Sequence, residues 1–147
     1  LCSWMTDCCS RILSSSKNAD GLSSPSVMAI AAHIAAYQRG ADWLDALRTY
    51  LQGNLQYVAD QLNQHFPELD WQPPQASYLA WIDLRALQLD DRLLQQNLIE
   101  QQKVAIMPGY TYGIEGNGFI RLNVGCPRSK VEQGVQALIR AINHCRG

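Results

Sequence analysis

Arg121 and Asn123 stand two residues apart in the run Gly118-Phe119-Ile120-Arg121-Leu122-Asn123-Val124. In an extended chain, residues two apart share a face. A guanidinium there presents planar, paired N–H donors that match a carboxylate, and the amide beside it adds a donor and an acceptor. The spacing allows anion binding and equally allows an ordinary arginine on a sheet surface. Just upstream, Tyr110 and Tyr112 flank a glycine-bounded loop, where their rings can line a pocket. Lys17 is the remaining candidate for covalent chemistry. A lysine becomes nucleophilic when it is desolvated, but Lys17 follows three serines in a polar stretch and reads as solvated.

Other reactive residue types read as structural. His33 lies in an apolar helical stretch, and His65 and His144 lie near helix ends, with no serine or cysteine at a recognisable spacing. Cys126, between Gly125 and Pro127, has no nearby base and reads as a packed thiol. Gly113, Gly116 and Gly118 precede a strand. The dinucleotide fingerprint needs its glycines after a strand and opening a helix, so these read as a loop. The five cysteines are odd in number and irregularly spaced. They form neither a disulfide framework nor the paired clusters that zinc requires. No metal site is expected, and the thiols read as unbonded in a reducing, cytoplasmic setting. A net charge of -1 offers no basic stripe for nucleic acid. No apolar run approaches the roughly 18 residues that span a bilayer, and no basic segment followed by an apolar core marks a leader.

These residues need elements to position them. With 47% apolar residues in 147, the chain can bury one core. Residues 1–23 show no sustained period and read as an irregular N-terminal segment. From there, Ser24 and Pro25 suit a helix start, and Val27, Ile30, Ala31 and Ile34 recur at helical spacing up to a stop at Gly40. A second helix is expected over 41–66, with a stripe of Leu44, Leu47, Leu51, Leu55, Val58 and Leu62. Tyr78 to Leu84 reads as a strand buried on both sides. Asp90 caps a third helix over 91–102, and Val104 to Met107 reads as a strand stopped by Pro108-Gly109. Phe119 to Val124 alternates, with Ile120, Leu122 and Val124 toward the core and Phe119, Arg121 and Asn123 opposite. Ser129 and Glu132 have the spacing of a capping box for the last helix. The order α-α-β-α-β-β-α implies an α+β fold, a small and mostly antiparallel sheet with helices packed on one face.

Four runs carry a resemblance: Ser23-Ser24-Pro25-Ser26-Val27, Gly53-Asn54, the stretch from Ala76 through Tyr78 and Trp81 to Arg85, and the stretch from Gly118 to Arg128. Over about residues 22 to 145 the chain resembles the C-terminal part of pyridoxal-phosphate-dependent carbon–sulfur lyases of the cystathionine β-lyase type. These belong to the class I/II aminotransferase superfamily, fold type I. The resemblance implies that residues 24–147 form the small C-terminal domain of such an enzyme. It further implies that Arg121 grips the α-carboxylate of an amino-acid substrate, with Asn123 and Tyr112 beside it. Tyr112 stands where the family usually has phenylalanine. Ser16-Lys17 followed by Gly21-Leu22 echoes the family's Schiff-base lysine segment, but the usual Phe-Asn is missing and the interval to Ser24 is short. The cofactor-holding large domain that precedes the small one in this family is not expected in this chain. Alone, it is expected to be inactive and to expose an apolar patch or cover it by homo-oligomerisation. An enzyme completed by a partner chain and a non-catalytic interaction module on a relic domain remain open as alternatives.

Overall fold

Apolar residues at three- and four-residue intervals build four α-helices over residues 26–146, the residues described by the computed structural model. Alternating residues build three short strands. The chain divides into two compact units, Leu1–Asp45 and Ala46–Gly147.

In the first unit, Ser26 caps helix α1 (Val27–Arg39) by accepting from the Ala29 N–H at 3.3 Å. The expected start at Ser24 and Pro25 lies outside the described residues. Gly40 ends the helix as expected, its N–H returning to the Ala36 carbonyl. The apolar stripe of α1 buries nothing: every residue is exposed, Val27 to 80%. Its period announces a helix, and the period carries no information on what the stripe meets.

Helix α2 (Ala41–His65) begins in the first unit and runs through the second. Its stripe is buried only from Asn54 onward, at Leu55, Val58, Ala59 and Leu62. A short turn (Pro67–Leu69) leads toward strand β1 (Leu79–Asp83). Asp90 caps helix α3 (Asp91–Glu100), its carboxylate accepting from the N–H groups of Arg92 and Leu93. Strand β2 is Met107–Pro108, strand β3 is Phe119–Asn123, and helix α4 is Arg128–Arg146.

The sheet is antiparallel in the order β1-β3-β2. Ala80, Ile82, Ile120 and Leu122 are buried on its inner face. They share one core with Val58, Leu62, Leu94, Leu98, Val135, Leu138 and Ile142 from the helices. The α+β architecture with helices on one face of a small sheet is therefore the one present.

Four local expectations are corrected. The strand expected over 104–107 starts only at Met107, because the Val104 N–H bonds the Leu98 carbonyl at 3.0 Å and Lys103 turns the chain at φ 57°. Pro108 continues the strand rather than stopping it; a residue without an N–H is tolerated on an edge strand. Strand β1 is buried on one side only: Trp81 is 39% exposed, as an antiparallel sheet with one covered face allows. Ser129 lies inside α4, and Glu132 pairs with Arg128 at 3.2 Å instead of closing a capping box. The helix start is served by the Pro127 carbonyl, which accepts from Lys130, and by the Tyr50 hydroxyl, which accepts from the Arg128 N–H at 2.7 Å. Among the described residues, no helix is long and apolar enough to cross a membrane.

Candidate functional site

The uncovered face of the sheet carries two of the expected site residues, Arg121 and Asn123. Cross-strand partners share a face, so the register Trp81–Arg121–Met107 places one residue from each strand in a single row. Asp83 pairs with Phe119 and Leu79 with Asn123 on the same side. Arg121 is half-buried, and its guanidinium carbon lies 4.9 Å from the centre of the Tyr112 ring. The Tyr112 ring meets Trp81 edge-on at 5.6 Å, and Trp81 stacks on Phe119 at 5.6 Å. Arg85 lies over the far side of this row, 4.7 Å from the Phe119 ring. The two ends differ in one respect. Arg85 is bound bidentately to Asp83, with its closest nitrogen at 2.7 Å, and this guanidinium holds the Asp83 carboxyl below the usual carboxylate range, against a smaller opposing effect of burial. Arg121 has no hydrogen bond or ion pair to any other described side chain. A ring attracts a cation but offers it no lone pair. The donors of Arg121 are thus left for an acceptor that the described side chains do not supply.

The turn before β3 is tightly built. Gly109 and Gly116 touch backbone to backbone, and a Cβ on Gly109 would fall 2.2 Å from the Gly116 carbonyl oxygen. The N–H groups of Gly113, Gly116 and Asn117 bond carbonyls within the turn, and that of Gly118 bonds the Asp91 carboxylate at 2.7 Å. These donors are occupied, so the turn reads as a spacer and not as a phosphate cradle. It delivers Tyr112 to the face of Arg121. Tyr110 goes elsewhere, to an open cleft of about 760 Å³ shared with Arg85, Asp90, Asp91 and Ile114.

Asn123 shares the outward side and is exposed, but its Oδ1 accepts from the Gly125 N–H at 2.8 Å. That bond folds the exit of β3 and leaves the amide N–H₂ and the second lone pair of Oδ1 for another partner. Lys17 lies outside the described residues. Cys126 and Cys145 are free thiols packed at the core edge; burial raises the Cys145 thiol above its ordinary value, with the Asp90 charge adding to the shift.

Sequence reasoning missed the way α2 holds the exit of β3. Asn54 is 1% exposed. Its Nδ2 donates to the Val124 carbonyl at 3.0 Å and to the Cys126 carbonyl at 3.2 Å. Its Oδ1 accepts from Arg128, which also donates to the Gly53 carbonyl at 2.7 Å and lies 4.3 Å from the Tyr57 ring. The signal was present: Asn54 stands three residues after Leu51 and four before Val58, on the side of α2 that carries the apolar stripe, where a polar residue must find partners.

A small antiparallel sheet with helices on one face and an arginine on the other is the class that fold and site define. The aminotransferase class I and II family model matches residues 2–138, and the chain belongs to that family. It is 68% identical over 134 residues to the protein MalY of Escherichia coli K12, covering 91% of this chain and 34% of that protein. It is 37% identical over 130 residues to the cystathionine beta-lyase PatB of Bacillus subtilis, covering 88% of this chain and 34% of that protein. Among solved structures, cystalysin of Treponema denticola, which contains pyridoxal 5'-phosphate, superposes with a TM-score of 0.79 at 26% identity, covering 92% of this chain and 34% of that one. The chain spans about a third of the length of the relatives it matches.

The described residues can be tested against that cofactor. Pyridoxal phosphate needs a lysine amine, a partner for its ring nitrogen and a phosphate site. The described lysines are Lys103, in the turn after α3, and Lys130, in the first turn of α4, and both are exposed. Neither lies on the strands or the turn that carry the row around Arg121, and the N–H groups of Gly113, Gly116, Asn117 and Gly118 are already bonded. The face presents the Arg121 guanidinium and, among the described residues, no lysine for the cofactor.

Proposed function

We propose that residues 24–147 are the C-terminal small domain of a pyridoxal-phosphate-dependent carbon–sulfur lyase or aminotransferase. In this reading Arg121 binds the α-carboxylate of the amino-acid substrate, and this segment has no turnover without the cofactor-holding part of the fold. The observation that carries it is the state of Arg121: half-buried on an open sheet face, beside aromatic rings, with no acidic partner among the described residues. A paired carboxylate would have marked the residue as structural, which is the case for Arg85.

The work of this chain is orientation. Two parallel N–H···O bonds fix the plane of a carboxylate as well as its position. Holding the carboxylate fixes the bonds at the neighbouring carbon relative to whatever reacts with it, an entropic contribution that a flexible point charge cannot match. The Tyr112 ring lies over one side of the guanidinium, 4.9 Å away, and shields that side from solvent, which strengthens an ion pair made there. The cofactor, when bound, supplies the electron sink.

A chimera in which this chain replaces the matching third of the cystathionine beta-lyase PatB tests the proposal. Thiol release from L-cystathionine is measured for the chimera, for its Arg121 variants and for this chain alone with added pyridoxal phosphate. Arg121→Ala is expected to lower kcat/KM about 100- to 1000-fold and Arg121→Lys about 10-fold, since a lysine keeps the charge and loses the bidentate fit. The chain alone is expected to release no thiol. Turnover by the chain alone, or an Arg121→Ala chimera with unchanged kcat/KM, contradicts the proposal.

A further inference from the structure

Val124 is the first residue after β3 and is fully buried. Its N–H donates to the Tyr78 carbonyl at 2.9 Å, toward β1, and its carbonyl accepts from Asn54, on α2. The exit of β3 is therefore pinned from both sides, a few residues beyond Arg121. A second tie runs from the same Asn54 amide to the Cys126 carbonyl. The orientation of that amide is dictated by Arg128. A guanidinium only donates, so Asn54 must turn its oxygen toward Arg128 and its N–H₂ group toward the two carbonyls. Arg128 is itself held by the Gly53 carbonyl, Glu132 and the Tyr57 ring. An apolar residue would continue the stripe of α2 at position 54, yet it would leave two carbonyls without this donor.

We propose that Asn54 is a positioning residue for Arg121: it anchors the exit of β3 to α2 and so sets where the guanidinium stands. The proposal rests on the reading that Arg121 binds a substrate carboxylate. Asn54 touches no substrate in this scheme and acts through the backbone of Val124 and Cys126. Its loss moves substrate affinity only as far as Arg121 is there to be misplaced, whereas a merely structural residue lowers activity whether or not Arg121 is present.

A double-mutant cycle in the PatB chimera separates the two. Asn54→Asp keeps the shape and the contact with Arg128 but removes both donors. It is expected to lower kcat/KM for L-cystathionine about 10-fold, with KM carrying most of the change, and to lower it less than about 2-fold in the Arg121→Ala background. Asn54→Ser, which keeps one donor, is expected to lose about 3-fold with the same dependence on Arg121 and serves as the cycle partner if the aspartate variant does not fold. Equal losses in both backgrounds, or no loss in either, overturn the positioning role. An Arg121→Ala chimera with full kcat/KM overturns instead the carboxylate reading on which the role rests.

Discussion

The two faces of the sheet are made from the same strands and have opposite fates. On one, Ala80, Ile82, Ile120 and Leu122 are buried against the helices. On the other, Trp81, Phe119, Arg121 and Met107 lie side by side across the strands and stay partly open. The inner face is held by apolar burial that any well-shaped side chain can supply. The outer face is held by ring stacking and cation–π contacts, and it exposes large apolar residues: Trp81, Met107 and Tyr112. A region that is open and apolar at once is poor at stabilising a chain and well suited to binding. The stability of this domain is thus expected to reside on one face and its chemistry on the other.

The widest separation should appear in stability. Ile82→Ala, on the fully buried side, is expected to cost about 3 kcal/mol, and Trp81→Ala, one residue away on the open side, about 1 kcal/mol, both by urea unfolding. Equal costs would mean that the outer face is packed like a core. A smaller effect is expected at Tyr112. Tyr112→Leu removes the cation–π contact with Arg121 and should raise KM in the PatB chimera about threefold while leaving the urea midpoint nearly unchanged. Tyr112→Phe keeps the ring and should restore KM. The smallest effect concerns pH. The folded chain holds the Asp83 carboxyl below its ordinary value through Arg85, so the pair stabilises the fold above about pH 4, the unfolded carboxylate range, and the contribution fades as pH falls through the lower folded value. The urea midpoints of the wild type and Asp83→Asn should therefore converge on acidification from about pH 6 to pH 3. Divergence would show that the pair does not stabilise the folded state. Being exposed, it should move the midpoint only slightly.

Much of the scaffold is readable in the sequence. The period of α2 and α4, the Asp90 cap, the Gly40 stop and the alternation of Phe119 to Asn123 all follow from local rules, and all are present. Local rules mislead where a backbone group has two possible partners. Val104 suits a strand by its β-branched side chain, but its N–H closes the end of α3 on Leu98. Ser129 has the spacing of a cap, but the chain enters the helix one residue earlier and Tyr50, 78 positions away, satisfies the first N–H. The stripe of α1 has the right period, and its residues are exposed all the same.

The site divides in the same way. Sequence by itself determined that Arg121 and Asn123 lie on one side of β3, because alternation is a property of the extended backbone. Sequence spacing also sets Asn54 on the same side of α2 as Leu51 and Val58, because the helical period is local. Only the tertiary structure decided that Asn123 commits its oxygen to Gly125, that Tyr112 comes to lie against Arg121, and that Asn54 carries the exit of β3. Periodicity sets the direction of a side chain relative to its own element. Which partner it meets depends on elements distant in sequence, and that is settled by packing and by the need of each buried polar group for a hydrogen bond.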